Sequence, residues 1–179
     1  GGVGTELQRR GVSMDPAAWC GPATLQSKHL LTELHADYIA AGSEVITTNT
    51  FASSRLMLSS AGYGEQVEQI NLQAVDAALK ARDKSSSTTP VAVAGSLSHM
   101  IPMSGGTDLT DPSKLPDDSE AADAFHELAQ ILATSGCDLI ILEMMYHPKR
   151  TLLALDAALA TGLPIWCGFS VRKSEDGRI

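Results

Sequence analysis

The sequence predicts an α/β fold on a parallel sheet and, within that class, an incomplete (β/α)8 TIM barrel. Two observations carry the prediction. Four apolar runs each end in polar residues: 43–53 (SEVITTNTFAS), 90–98 (PVAVAGSLS), 139–147 (LIILEMMYH) and 164–172 (PIWCGFSVR). Strands buried on both faces require near-continuous apolar runs, and α/β sheets place their chemistry at the carboxyl ends of such strands. The second observation is a repeated grammar of helix end, glycine, short turn and apolar strand, seen in AAGSEVITT, TSGCDLIIL and ATGLPIWCG. Strand starts near 45, 91, 139 and 165 leave room for intervening helices. An open doubly wound sheet shares this grammar. Polar tips on four successive strands favour the barrel, whose sites collect residues from several strand ends. A barrel takes about 250 residues. The 179 residues here are therefore expected to form one barrel domain over 1–179, incomplete at both ends, with strands two to five and their helices.

Taken in order, residues 1–11 (GGVGTELQRRG) hold three glycines in their first four positions. Such density suits a backbone that turns tightly or approaches a ligand between a strand and a helix; a flexible terminus is the alternative. Residues 12–25 read as a loop with Pro16, Gly21 and Pro22, and Trp19 within it is a hydrophobic plug or a pocket wall. Residues 27–41 read as a helix: Ser27 suits the N-cap, Leu30, Leu34 and Tyr38 recur every four residues, and Gly42 ends it. His29 and His35 are expected at the surface or the rim. A loop to about 64 precedes a helix over 65–82, whose Val67, Ile70, Ala74, Ala77, Ala78 and Ala81 form a small-residue face suited to packing on a sheet. Residues 83–89 make a solvated turn. Residues 98–118, rich in Gly, Pro, Ser and Asp, read as a lid or binding loop or as partial disorder. Helices are expected over 119–135, with Phe125, Leu128, Ala129 and Leu132 on one face, and over 148–160, with Pro148 in the first turn.

Hydrophobic content of 44% and charged content of 19% are ordinary for a soluble globular chain. A net charge of −8 argues against nucleic acid and anionic membrane as partners. No run approaches the roughly 18 to 20 apolar residues of a membrane helix, and no basic-then-apolar leader opens the sequence. Cys20, Cys137 and Cys167 stand far apart, with no CxxC or CxxH spacing; they read as reduced thiols of a cytoplasmic protein. The chain opens without Met and closes on a charged stretch directly after a strand, as part of a longer protein would.

Glu143 is the sharpest candidate for chemistry. It follows Leu139–Leu142 in an otherwise apolar strand, where a carboxylate is costly unless paired or placed at the open end. It either binds a substrate cation, or acts as acid or base, or forms a structural ion pair. Thr48, Asn49 and Thr50 come next. Alternation sends Thr48 and Thr50 to one side and Asn49 to the other, one side facing the site and the other hydrogen-bonding local backbone. Ser96 and Ser170 at other strand tips read as structural. There is no P-loop, GxSxG or HExxH pattern.

On these residues the chain resembles the homocysteine S-methyltransferase family. The segments that carry the resemblance are GGVGTEL at 1–7, Trp19 in its loop, HADYIAAGSEVITTNTF at 35–51, VAGSLS at 93–98 and DLIILEM at 138–144. In the family an Asp-Gly-Gly loop ends the first strand, and its Asp and a Glu on the fourth strand hold the amino group of homocysteine. The resemblance implies that Gly1 and Gly2 are the loop glycines, with the Asp preceding them, and that Glu143 is the fourth-strand Glu. It implies that Thr48 and Trp19 lie near the amino-acid part of the substrate. It further implies zinc, held by three cysteines that activate the homocysteine thiol; none of Cys20, Cys137 or Cys167 matches them, so the ligands are expected beyond Ile179. The betaine-using branch carries tyrosines at the positions of Ala52 and Met144, which disfavours betaine here. The implied donor is then S-methylmethionine or S-adenosylmethionine, and the implied product is methionine. A non-catalytic or zinc-independent barrel protein that binds a small amino acid or another thiol is the alternative.

Overall fold

The computed structural model describes residues 1–102, 112–171, 173 and 177. Helices α1 (Val3–Arg9) and α2 (Ala23–Ala40) come first. They are followed by strand β1 (Val45–Thr47), helices α3 (Arg55–Ser60) and α4 (Val67–Asp83), strand β2 (Ala92–Ser98), helix α5 (Asp118–Thr134), strand β3 (Leu139–Met145), helix α6 (Pro148–Leu159) and strand β4 (Ile165–Phe169). The sheet order is β1-β2-β3-β4 and each adjacent pair is parallel. Every strand thus lies beside its sequence neighbour, with helices crossing back between. This is the progression of a (β/α)8 barrel; a doubly wound sheet reverses its strand order at a switch point. The expectation of a helix after each strand holds for three of the four, since none follows β4 among the described residues. Residues 103–111 of the stretch read as a lid or binding loop, and most of 172–179, lie outside the described residues.

Alternation along the strands sorts the side chains. Ile46, Val93, Leu97, Ile140 and Leu142 turn to one face. There they meet Val75 and Ala78 of α4, Phe125, Leu128 and Leu132 of α5, and Ala154, Ala157 and Ala158 of α6. The alanines bring those helices close to the sheet, as the small-residue face over 65–82 predicts. A second cluster gathers residues that follow the strands with the loop before α2: Ala18, Cys20, Ala52, Met57, Leu58, Val67 and Ile70. A third joins α1, α2 and α4 through Val3, Leu7, Leu31, Leu34 and Ala77. β4 is less covered: Trp166 is 52% exposed and Phe169 70%. No helix among the described residues is long and apolar enough to cross a membrane.

Local chemistry sets the helix ends. Asp117 caps α5 by accepting the Glu120 N–H at 2.9 Å, while Glu120 accepts the Asp117 N–H at 3.1 Å, a reciprocal capping box. Helix α2 begins four residues before Ser27, after Pro22, and Ser27 itself breaks the helical path with φ −122° and ψ 24°. The serine thus marks a kink where the sequence predicts an N-cap. Helix α3 replaces part of the loop expected before 64; six residues are too few to show a helical period.

His35 departs from its expected surface position. It is fully buried, and neither ring nitrogen has a hydrogen-bond partner among the described residues. It sits one helical turn beyond the buried Leu31, so it shares that inward face. Burial pushes its imidazole down to about 4, and His99, buried at the end of β2, is likewise pushed down to about 4.

This packing makes stability depend on pH. The unfolded chain protonates both histidines as pH falls below 6.5, whereas the folded chain resists until about 4. Stability fully present above that window is therefore lost as pH falls across it, by about 1.4 kcal/mol for each tenfold difference in proton affinity between the two states. Urea midpoints measured at neutral pH and near pH ~5 check this; equal midpoints would refute it. The loop before α2 is equally constrained. A Cβ on Gly21 would stand 2.3 Å from the Ala52 carbonyl oxygen, a backbone atom that cannot swing aside as a side chain could. Gly21→Ala is expected to cost about 1–3 kcal/mol by forcing the loop off β1's extension, read as a lowered urea midpoint.

Candidate functional site

The polar tips of β1, β2 and β3 converge. Beyond Thr47 the backbone of β1 makes one more ladder bond, Thr48 N–H to the Ala94 carbonyl at 2.9 Å. Side chains then take over from the backbone. Thr48 Oγ1 accepts the Ser96 N–H at 3.1 Å, and Thr50 Oγ1 donates to the Ser96 carbonyl at 2.7 Å. This accounts for the polar end of the apolar run: the hydroxyls of Thr48 and Thr50 satisfy the edge of β2. As alternation predicts, Thr48 and Thr50 share a side, with hydroxyls 2.7 Å apart. Asn49 turns the other way, donating to the Cys20 carbonyl at 2.9 Å and Thr24 Oγ1 at 3.1 Å, which ties the α1–α2 loop to the sheet. Because Thr50 spends its proton on Ser96, Thr48 must be the donor between the two threonines. Thr48 has then only a lone pair left to offer.

Ser96 also reaches β3. Its Oγ donates to Glu143 Oε2 at 2.6 Å, a short charge-assisted bond, and no partner holds Oε1 among the described residues. Glu143 stands in a β-bulge. Leu142 pairs with Cys167 and Met145 with Phe169, so Glu143 and Met144 together oppose Gly168. Met144 takes the left-handed conformation, φ 55°, which for a non-glycine side chain is strained and is found at sites where a group is aimed. The structural ion pair considered for Glu143 does not form among the described residues; its partner is a neutral hydroxyl.

Trp19 closes the opposite side. Asp15 and Trp19 exchange two backbone hydrogen bonds of 2.8 and 2.9 Å, and Asp15 Oδ1 accepts the N–H groups of Ala17 and Ala18, each at 2.8 Å. The resulting tight loop holds Trp19 at φ 46°, edge-on to Phe51 with ring centroids 6.1 Å apart. Gly4 makes room for it: a Cβ there would lie 2.7 Å from the indole ring. The Gly2 carbonyl accepts from Tyr38 Oη at 3.2 Å.

These walls enclose a cavity of about 190 Å³, lined by Gly1, Gly2, Trp19, Thr48 and Glu143 together with Cys20, Asn49 and Phe51. The five residues that the family resemblance implies for the substrate, Gly1, Gly2, Trp19, Thr48 and Glu143, all border this one space, as does Asn49; Thr50 does not. A larger groove of about 1050 Å³ runs along α2 and α4, but surface side chains such as Lys28, Lys80 and Lys84 line it and no strand tip reaches it. From sequence, Ser96 reads as merely structural and His99 does not stand out. The roles of both depend on strand register, which no local pattern in the chain encodes.

The cysteines present do not fit a zinc site. Burial pushes the thiols of Cys20 and Cys137 up to about 12, so both stay protonated, and Cys167 is exposed on β4. No group of three His, Cys, Asp or Glu side chains able to hold a metal occurs among the described residues.

Comparison with known proteins agrees with this geometry. The chain is 31% identical to homocysteine S-methyltransferase 2 of Zea mays over 99% of its own length and 56% of the relative's. It is 29% identical to the selenocysteine methyltransferase of Astragalus bisulcatus, over 99% and 58%, and 29% identical to the homocysteine S-methyltransferase of Escherichia coli K12, over 98% and 58%. It therefore spans a little over half the length of these relatives. The crystal structure of the E. coli homocysteine methyltransferase MmuM in its metallated form superposes with a TM-score of 0.73 at 23% identity, covering 99% of this chain and 65% of that one. A family model described as homocysteine S-methyltransferase matches residues 1–178. With the sheet order, the strand-tip site and these matches in agreement, the chain belongs to the homocysteine S-methyltransferase family.

Proposed function

We propose that this chain forms the amino-acid-binding part of an enzyme that moves a methyl group from a sulfonium donor to the sulfur of homocysteine, giving methionine. The observation that carries the reading is the acceptor-only corner of the cavity. Glu143 Oε1 and the remaining lone pair of Thr48 can accept hydrogen bonds and cannot donate them. A substrate ammonium fits that corner, and a carboxylate does not. Trp19 and Phe51 supply apolar walls for the aliphatic chain, and a space of about 190 Å³ suits a small amino acid.

In this mechanism the residues of the chain bind and orient. Glu143 and Thr48 anchor the ammonium, Ser96 holds the carboxylate of Glu143, and the aromatic walls exclude water from the side chain. The new carbon–sulfur bond forms as the donor's carbon–sulfonium bond breaks; the donor leaves as a neutral thioether and the thiol proton goes to solvent. The zinc expected of the family finds no ligand set among the described residues, and no step here runs through it. The betaine-using branch of the family carries tyrosines at the positions of Ala52 and Met144, so the absence of aromatic rings at these two positions favours S-methylmethionine or S-adenosylmethionine over betaine. Three free cysteines are consistent with a cytoplasmic setting.

A second reading, favoured by the selenocysteine methyltransferase among the relatives, takes selenocysteine as acceptor. It presents the same ammonium on a chain one methylene shorter. Steady-state kinetics with both acceptors, on the full-length protein, decides between them.

Glu143→Ala is expected to raise the KM for homocysteine by about 10- to 100-fold, the worth of a charged hydrogen bond. An unchanged KM would remove Glu143 from the site. Ser96→Ala, which frees the carboxylate without deleting it, is expected to raise KM about threefold to tenfold with kcat little altered.

A further inference from the structure

A histidine stands just beyond β2, outside the cavity wall. His99 is 1% exposed. Its Nε2 accepts the backbone N–H groups of both Tyr146, at 3.0 Å, and His147, at 3.2 Å. Its ring meets the Tyr146 ring edge-on, with centroids 4.5 Å apart. An imidazole nitrogen accepts hydrogen bonds only when it carries no proton, so the ring is neutral with its proton on Nδ1.

Those two amides follow directly on the β3 bulge. Upstream, the bulge is fixed by the β2–β3 ladder, Leu97 against Leu142 and Ser98 against Glu143, and by the Ser96 hydroxyl. Downstream, the Ser170 N–H reaches the Met145 carbonyl at 2.9 Å, and the next two amides end on His99. A left-handed residue such as Met144 is strained and persists only where its surroundings over-determine it. His99 supplies the downstream hold.

The geometry assigns His99 as a positioning residue for Glu143: by accepting the Tyr146 and His147 amides it fixes the exit of the bulge that turns the carboxylate into the cavity. The assignment rests on Glu143 as the partner of the substrate ammonium. It makes the preference for α-amino thiols depend on a side chain that touches no substrate.

The test compares dissociation constants of the full-length protein for homocysteine and for γ-sulfanylbutyrate, which keeps the thiol and carboxylate and lacks the ammonium. His99→Phe retains ring packing and loses the acceptor. It is expected to cut the preference for homocysteine about tenfold, roughly one lost charged contact, with the analogue's affinity unchanged. His99→Gln, whose Oε1 accepts in place of Nε2, is expected to keep the preference. Equal weakening of both ligands in His99→Phe would show a general structural role and overturn the assignment. Glu143→Gln separates the two layers. If it leaves the preference intact, the ammonium reading itself fails; if it abolishes the preference while His99→Phe does not, only the assignment of His99 fails. Should the Phe variant not fold, nitrogen NMR of the unmodified protein decides: a ring protonated on Nδ1 supports the assignment, and one protonated on Nε2 overturns it.

Discussion

Everything at the carboxyl end of the sheet depends on how Ser96 is held. Its N–H and C=O are met by the hydroxyls of Thr48 and Thr50, and its own hydroxyl meets Glu143. One residue on β2 therefore ties three strands together by side-chain bonds just where the backbone ladder of β1 runs out. The constraint behind this is the cost of an unpaired backbone group in a buried place. β1 is three residues long; without the threonines, the N–H and C=O of Ser96 would be buried and unpaired on that edge of β2. The same bonds that repair the edge leave Thr48 with nothing to donate, and so give the cavity its chemical sign.

The bulge in β3 is the second half of the arrangement. A regular strand would carry Glu143 and Met144 on opposite faces and continue pairing with β4 residue by residue. The extra residue breaks that pairing between Leu142 and Met145, and the carboxylate meets a hydroxyl from β2 instead of a cation. A carboxylate with one oxygen bound to a neutral donor and the other open is poised for a cation from outside the fold. Strain at Met144 and at Trp19 lies on the two sides of the same cavity, as is usual where a fold gives up local comfort for a binding geometry.

Much of this was legible in the residues. The alternation of apolar runs and glycine-ended helices located all four strands, and the lone carboxylate in LIILEMM pointed to the end of the sheet where the cavity lies. The polar run TTNT carried its own explanation once β2 was placed beside it. What the sequence could not convey was register. Ser96 reads as one more small residue in AVAGSLS until the ladder sets it against Ile141, within hydroxyl reach of Glu143 two residues on, and His99 reads as a loop histidine until two amides converge on it. His35 was legible and misjudged, since its spacing from Leu31 already put it on the inward face of α2. Helix α3 was too short to leave a period.

Strand β4 is an edge of the sheet among the described residues, and its sequence suits it to pairing. IWCGF carries no charge, is rich in β-forming side chains, and presents Trp166 and Phe169 to solvent along a sheet edge whose N–H and C=O groups have no neighbour among the described residues. Such a segment is a template for strand addition from another molecule. In the sequence it is bounded by Pro164 and Arg172, a breaker and a charge in the positions where gatekeepers restrain intermolecular pairing. Among the described residues β4 is thus an edge open to a further strand, on the far side of the β3 bulge from the bonds that Ser96 makes.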